Sequence, residues 1–504
     1  MSPGEPNSSI RGPVSQIMSA PHLFWIVAGV IVCLYMALAI GQALTKQPMD
    51  DEAWLATSGY NLLTRGEMGK TLHESDGLLY HYTYDTMPLY YPVLVAWFKV
   101  WGFGLLSQRM MSIAWGILLM VSWYWIMKSL TNNRSIALLT FAFVGLDALI
   151  VRTAALGRFD IMCAAFGFGA YAVFLRLRER NLLAAIVISQ SMIALSGLTH
   201  PNGFIEFLGL LYLTLSLDRK RIHWKEVCLA AFPYVVGAIC WGLYISHNPP
   251  FWYSQIRGNY GHRGRGINVI HNLIVDFPHR FLVPFGFGPN DFGIKHLLIL
   301  IIFVYFVGLL TSLFVKEIRQ QPACRALHIL LAIAWVLLSF QADYNPMEYT
   351  IHYLPVFAAL LAITIHWLWL RELKWVPAIA SAICFFILLQ VGALAYRIKL
   401  DDYHRAYLPA VEFAKNHSDD NTPIMGSAIL YFEYGFRQNL IDDVSLGYST
   451  QNVADLIVVD PEWALEFQMQ RDTNPGAYKH IQKILANDYV RIYDHANYQI
   501  YRRK

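Results

Sequence analysis

Apolar residues in this chain come in long unbroken runs, not at the spacing of a soluble amphipathic helix. Eleven runs stand out, over residues 22–44, 109–129, 135–151, 160–176, 181–199, 203–217, 226–246, 296–315, 325–341, 350–370 and 375–397. Runs of about 20 apolar residues are what a hydrocarbon layer roughly 30 Å thick requires of an α-helix. The pattern therefore predicts an all-α polytopic membrane protein of about eleven transmembrane helices. Two more stretches read as helices that do not span. Residues 52–65 place Trp54, Leu55, Tyr60, Leu62 and Leu63 as the apolar side of a surface helix. Residues 88–103 are apolar and aromatic but short, and read as a second interfacial or re-entrant helix.

Polar positions orient the bundle. Lys128 and Arg134, the run from Arg176 to Arg180, Arg219 to Arg221, Lys316 to Arg325, and Arg371 to Lys374 occupy alternate short loops. Short basic loops beside span ends favour the cytoplasm. They share that side if residues 1–21 form a cytoplasmic tail. Residues 22–398 then make the transmembrane domain, with outer loops 45–108 and 246–295. Residues 399–504 fall outside as a small extramembrane α/β domain, with helices at 407–417 and 477–486 and strands at 423–432, 455–459 and 489–501.

Composition narrows the class. The 504 residues are 56% hydrophobic and 15% charged, against about 25% charged in soluble domains. A net charge of +4 gives no reason to expect a nucleic-acid partner. The six cysteines lack zinc or redox spacing. Residues 1–21 are polar and irregular and the first run lacks a cleavage site, so no cleavable signal is expected.

Against this apolar background, carboxylates mark candidate chemistry. Asp50, Asp51 and Glu52 follow the first span, where they are either solvated interface charges or a site. Asp85 precedes Thr86, Met87 and Pro88, and Asp160 opens a span after Arg158. Such juxtamembrane acids are costly and point by default to function. For Asp160 the alternatives are an ion pair with Arg158 or Arg152, or a favourable charge at a helix N-terminus. The second outer loop carries Arg257, Arg263 and Arg265 among glycines. That combination suits a phosphate that arrives and leaves, or attraction to anionic membrane lipids. His200 lies in a turn of Pro201, Asn202 and Gly203. His352 and Tyr353 are either interfacial belt residues or lining of a site.

In their order and sidedness these residues resemble the GT-C glycosyltransferases, in the branch of protein O-mannosyltransferases and lipid A aminoarabinose transferases. The resemblance rests on Asp51-Glu52 after the first helix, Asp85 to Tyr91, Arg109 opening the next span, Asp160, the Tyr353-Leu354-Pro355 stretch and the tail segment Asp443 to Gly447. It implies transfer of a sugar, with inversion, from a polyprenyl-phosphate-sugar donor to a lipid, glycan or protein acceptor at the outer face of a bacterial inner membrane. Asp51 would be the catalytic carboxylate, assisted by Glu52 and Asp160. Asp85, Thr86, Arg158, His200, Arg257, Arg263, Arg265, His352 and Tyr353 would contact substrate, and Asp50 would remain a solvated charge. No cofactor is required; a divalent metal, if one is used, would sit at Asp51 and Asp160. One departure is the absence of lysine from the Asp85-Thr86-Met87-Pro88 segment, where the aminoarabinose transferases have Glu-Lys-Pro-Pro. A transporter or flippase of lipid-linked intermediates, and a non-catalytic scaffold, are the competing classes.

Overall fold

The computed structural model describes residues 21–71, 81–263, 269–274, 292–340, 347–371, 375–435 and 439–504, with side chains at all of these except 21, 259–263 and 292–298. Every predicted span is helical over most of its described length. In chain order the helices are α1 (Pro21–Thr45), α2 (Asp50–Arg65), α3 (Tyr90–Trp101), α4 (Leu105–Thr131), α5 (Arg134–Leu146), α6 (Ala148–Ala154), α7 (Asp160–Leu177), α8 (Leu182–Thr199), α9 (Gly203–Asp218), α10 (Trp224–Ile245), α11 (Pro249–Arg263), α12 (Phe292–Phe314), α13 (Pro322–Ser339), α14 (Leu354–Arg371) and α15 (Val376–Leu400). Among the described residues eight helices are long and apolar enough to cross a membrane, and the α5–α6 pair adds a ninth, bent span. The chain is an integral membrane protein.

That bend is a departure from the uninterrupted run expected over 135–151. The axis turns by 60° between α5 and α6. Asp147 sits at the break and caps α6, accepting from the amides of Leu149 (2.9 Å) and Ile150 (3.0 Å). Tyr305 donates its hydroxyl to the other carboxylate oxygen at 2.7 Å. A capping carboxylate supplies the amides left open by a helix start, so the break is stabilised inside the bundle.

Both stretches read as non-spanning are helices. At 12 residues, α3 is roughly 18 Å long, short of the hydrocarbon thickness. In α2 three acids occupy the first turn, where the helix dipole favours negative charge. Glu52 reaches back to accept from the Met49 amide at 3.0 Å. Gly66 ends the helix at φ 76°, a conformation that L side chains disfavour.

Beyond α15 the helical rod continues through one π-turn, Tyr403–Tyr407, into α16 (Leu408–Asn416). The tail then forms a five-stranded sheet of order β2-β1-β3-β5-β4 from β1 (Ile424–Gly426), β2 (Leu440–Ile441), β3 (Leu456–Val459), β4 (Tyr489–His495) and β5 (Tyr498–Arg503). Strands β2, β1 and β3 run parallel, and β5 is antiparallel to both β3 and β4. The expected strand over 489–501 is thus a hairpin, and the one over 423–432 is a short strand followed by helical turns. Helices α17 (Pro461–Thr473) and α18 (Pro475–Asn487) cover the sheet.

Helix α2 lies between bundle and tail. One side buries Leu55 against Tyr90, Tyr91, Leu94, Met111 and Met162. The other side puts Ala53 into the tail core with Ile424, Leu430, Tyr431 and Tyr498. Trp54 donates its indole N–H to Asp442 at 3.1 Å, and Tyr498 donates to Gln47 at 3.1 Å. A helix packed on two sides holds its first turn in one place, and that turn carries Asp50, Asp51 and Glu52.

Candidate active site

Neighbours in sequence, Glu52 and Asp51 have opposite surroundings. Glu52 is completely buried. Its Oε1 accepts from Arg109 Nε (2.8 Å) and the Gly157 amide (2.7 Å), and its Oε2 from Arg109 Nη2 (2.7 Å). Arg109 spends its remaining donors on the carbonyls at the end of α1, namely Ala43 (2.7 Å), Lys46 (2.8 Å) and Gln47 (3.0 Å). Burial pushes the Glu52 carboxyl up, but the Arg109 charge and hydrogen bonds outweigh it and hold the group below its ordinary value. This two-pronged pair joins α1, α2, α4 and the α6–α7 turn. Gly157 permits the close approach, since a Cβ there would meet the Gln108 side chain at 2.5 Å. Gln108 and Tyr90 both donate to the Gly157 carbonyl, at 2.6 and 2.8 Å.

The Asp51 side chain is 45% exposed. Arg158, itself buried, donates through Nη1 to Asp51 and through Nε to Asp160 at 2.8 Å. Asp160 is fully enclosed, and its Oδ1 has no hydrogen-bond partner among the described residues. The structure therefore brings together Asp51, Glu52, Arg158 and Asp160 from two elements more than one hundred residues apart. For a divalent ion at Asp51 and Asp160, the fit is poor. The Arg158 guanidinium already bridges those carboxylates, and no group of three His, Cys, Asp or Glu side chains among the described residues is placed to hold a metal.

Asp85 lies on the loop before α3. It pairs with Lys70 at 2.5 Å, with side chains 25% and 7% exposed. Thr86 shares a hydrogen bond with the Tyr91 hydroxyl. The loop is fastened by Leu89, which donates its amide to the Leu198 carbonyl at 2.9 Å, and by Gln255 of α11, which accepts from the Tyr84 amide at 2.7 Å. Arg257, two positions further along α11, is exposed. Arg263 is the last residue of α11, and Arg265 lies outside the described residues.

His200 is buried in the bundle and does not line an open turn. Its ring stacks on Phe159 (4.9 Å between centroids), Nδ1 accepts from the Asn202 amide at 3.1 Å, and Nε2 meets the Tyr349 hydroxyl at 3.3 Å. An Nδ1 that accepts leaves the proton on Nε2. His352 lies deeper, with Nδ1 2.6 Å from Glu206 Oε1 and both side chains fully buried. Tyr353 packs between Trp335 and Phe357. Sequence reasoning missed Glu206, Lys70 and Asp147. The signal for Glu206 was present, as the lone carboxylate in the run 203–217. Lys70 had none, because its partner is set by a loop closure.

Asp50 departs from the solvated charge expected. It faces Asp442, Asp460 and Glu462 of the tail, with Oδ1 buried and unpartnered among the described residues. Burial, then these neighbouring carboxylates, raise its pKa well above the ordinary value. For the same two reasons Asp442 is pushed up to about 7 and Glu462 to about 6.

A groove of about 690 Å³ runs down the bundle between α8, α9 and α10. Met87 and Pro201 line its upper end and Leu215 and Ile222 its lower end, and its walls are almost wholly apolar. Met87 is two residues from Asp85, and Pro201 follows His200, whose ring stacks on Phe159 next to Arg158 in the chain.

No protein-family profile and no curated sequence matches the chain. Solved structures do. ArnT from Cupriavidus metallidurans bound to undecaprenyl phosphate superposes with a TM-score of 0.60 over 97% of this chain and 98% of its own, at 14% identity. The oligosaccharyltransferase AglB from Archaeoglobus fulgidus, in complex with an inhibitory peptide and a dolichol-phosphate, gives a TM-score of 0.56 over 94% of this chain and 74% of its own, at 12% identity. An Archaeoglobus fulgidus oligosaccharyltransferase in its apo form gives 0.57 over 95% of this chain and 75% of its own, at 12% identity. Likeness at these identities carries the architecture alone: the chain has the GT-C fold shared by these membrane proteins.

Proposed function

We propose that this protein is a glycosyltransferase that moves a sugar from a polyprenyl-phosphate donor to an acceptor hydroxyl or amine at the membrane surface where the tail docks. The observation that carries this reading is an exposed carboxylate, Asp51, held by a buried arginine whose chain neighbour Phe159 stacks on His200, the residue before Pro201 at the upper end of a long apolar groove. A polyprenyl tail is matched to such a groove in chemistry and length scale. ArnT was solved with undecaprenyl phosphate and AglB with a dolichol-phosphate, which supports a lipid-phosphate ligand on this fold.

In the proposed step the acceptor oxygen or nitrogen attacks the anomeric carbon from the face opposite the phosphate. The bond to the acceptor forms, the carbon–oxygen bond to phosphate breaks with its electron pair leaving on the phosphate, and configuration inverts. Asp51 takes the acceptor proton. Arg158 fixes the Asp51 carboxylate in orientation, and Asp160 fixes Arg158. Glu52 and Arg109 have no capacity left for substrate and act by holding α2 in place. Lys70, beside Asp85, and Arg257, on the helix whose Gln255 fastens the Asp85 loop, would offset the charge of a departing phosphate. Arg263 and Arg265 stay as proposed substrate contacts, whereas His200, His352 and Tyr353, buried in the bundle, would act through packing and not by touching substrate. We place the reaction at the outer face of a bacterial inner membrane, with the short basic loops in the cytoplasm.

The test is mass spectrometry of envelope lipids and glycans from cells with and without the gene. A product heavier by one sugar, present only with the protein, is expected. Unchanged lipids and glycans together with uptake of a lipid-linked sugar into vesicles would contradict it and favour a flippase.

A further inference from the structure

Between α13 and α14 the chain makes one 3-10 turn, Met347–His352. It packs on α6 and α7, the helices on either side of the turn that carries Gly157 and Arg158. Met347 Sδ accepts from Arg152 Nη1 at 3.5 Å. The Tyr349 hydroxyl meets His200 at 3.3 Å, and His352 is paired with Glu206. Side chains before and after Glu348 are thus tied to the bundle, and the turn is fixed.

Glu348 itself is not tied. Only 5% of the residue is exposed, and its carboxylate makes no hydrogen bond or ion pair among the described residues. Neither of its oxygens is shut off from solvent, unlike Asp160 Oδ1 and Glu206 Oε2. It is a reachable acceptor with its lone pairs open. A nearly buried carboxylate without donors is costly, and here two cations offset the cost. Burial disfavours the charge of Arg158, but Asp160 and then Glu348 more than restore it. Burial, then the Arg152 charge, pushes the Lys46 ammonium well below its ordinary value, against the pull of Glu52 and Glu348. Glu348 is therefore within electrostatic range of both Lys46 and the arginine that holds Asp51. Lys46 and Glu348 make no ion pair with each other. The ammonium donates instead to the Met49 thioether at 3.2 Å, a weak acceptor.

We infer that Glu348 grips the sugar of the donor, its two oxygens accepting from adjacent ring hydroxyls, with Lys46 donating to an oxygen of the same sugar. A vicinal diol brings two O–H groups to the two oxygens of a carboxylate, whereas a polyprenyl or acyl chain brings none. Water holds the place of those hydroxyls until the sugar arrives. The inference rests on the proposed transfer and deepens it. An acceptor can be a lipid, a glycan or a protein, but the donor always brings a sugar to Asp51.

Binding is measured without turnover, by calorimetry on the full chain in phospholipid nanodiscs, with empty discs subtracted. The probes are farnesyl phosphate and its mannosyl, glucosyl, galactosyl and arabinosyl esters. The ratio of their affinities isolates the sugar from the phosphate and the chain. Wild type is expected to bind at least one glycosyl ester about tenfold more tightly than farnesyl phosphate. Glu348→Gln and Lys46→Met should each lose most of that preference and keep the farnesyl phosphate affinity within about twofold. Glu348→Gln breaks no hydrogen bond of the fold, and Lys46→Met breaks one to a thioether, so both melting curves should match wild type. A preference that survives in Glu348→Gln would overturn the inference. So would an equal fall in both affinities, which marks a structural or phosphate-binding role, or a wild type that prefers no glycosyl ester. A sugar preference that depends on Glu348, in a chain that yields no product with any acceptor, would instead sink the transferase reading and leave this site standing.

Discussion

Asp51 and Glu52 share a helical turn and differ by one methylene, yet they sit in different physical regimes. Glu52 is sealed from water and pinned by an arginine whose donors are all used. Asp51 is nearly half exposed and shares its arginine with a buried partner. A carboxylate with every acceptor site committed can hold a fold together but cannot take a proton from a substrate. One with exposed oxygen and a fixed orientation can. The adjacent acids thus divide the work between architecture and chemistry.

The largest effect should come from opening the sealed pair. Arg109→Met leaves Glu52 buried and uncompensated, a loss of about 3–5 kcal/mol. The variant should melt far earlier or fail to accumulate, whereas Asp51→Asn, read in the same unfolding assay, should shift stability by about 1 kcal/mol or less. Comparable melting of the two would erase the distinction.

Next comes the link between the regions. Asp160→Asn frees one side of Arg158 and lets the Asp51 carboxylate turn, so the transfer rate should fall by about 10²-fold, the scale of a small misplacement of a reacting group. A rate within twofold of wild type would show that Arg158 needs no second anchor.

Smaller effects belong to the tail side of α2. Trp54→Phe leaves the Asp442 carboxylate without its indole donor and should weaken tail docking by about 1 kcal/mol, seen as faster proteolysis beyond Asn416. The docking should also respond to pH. Asp442 has a folded-state pKa raised to about 7, so its neutral form is favoured only in the docked state. Its stabilising contribution is complete below the ordinary carboxylate range and is lost as pH rises towards 7, with Glu462 following the same sign up to about 6. Proteolysis of wild type should therefore speed up between about pH 4 and 7, and Asp442→Asn should flatten that slope. An opposite slope would remove Asp442 from the interface account.

Much of this architecture could be read from run lengths. Each long apolar run became a helix, and the 12-residue α3 was recognisable as too short to span. The break at Asp147 was hidden, because one carboxylate inside a continuous apolar run does not announce that it caps a new helix. In the tail, the helix Pro461–Thr473 escaped notice because its polar and apolar residues show little one-sidedness. The prominence of Asp51, Glu52, Asp85 and Asp160 was legible from the scarcity of acids. Their partners were less so. Glu52 pairs across 57 residues and Asp51 across 107, and Asp85 finds Lys70 through a loop closure. Such pairings are consequences of packing, which no local pattern encodes.

The central claim is that Asp51, and not Glu52, takes the proton. The direct measurement is single-turnover transfer by Asp51→Asn in nanodiscs, with binding of undecaprenyl phosphate followed in parallel. A rate loss of about 10²–10⁴-fold with lipid-phosphate affinity within threefold of wild type is the predicted result. Turnover near the wild-type rate with a folded variant would contradict the account.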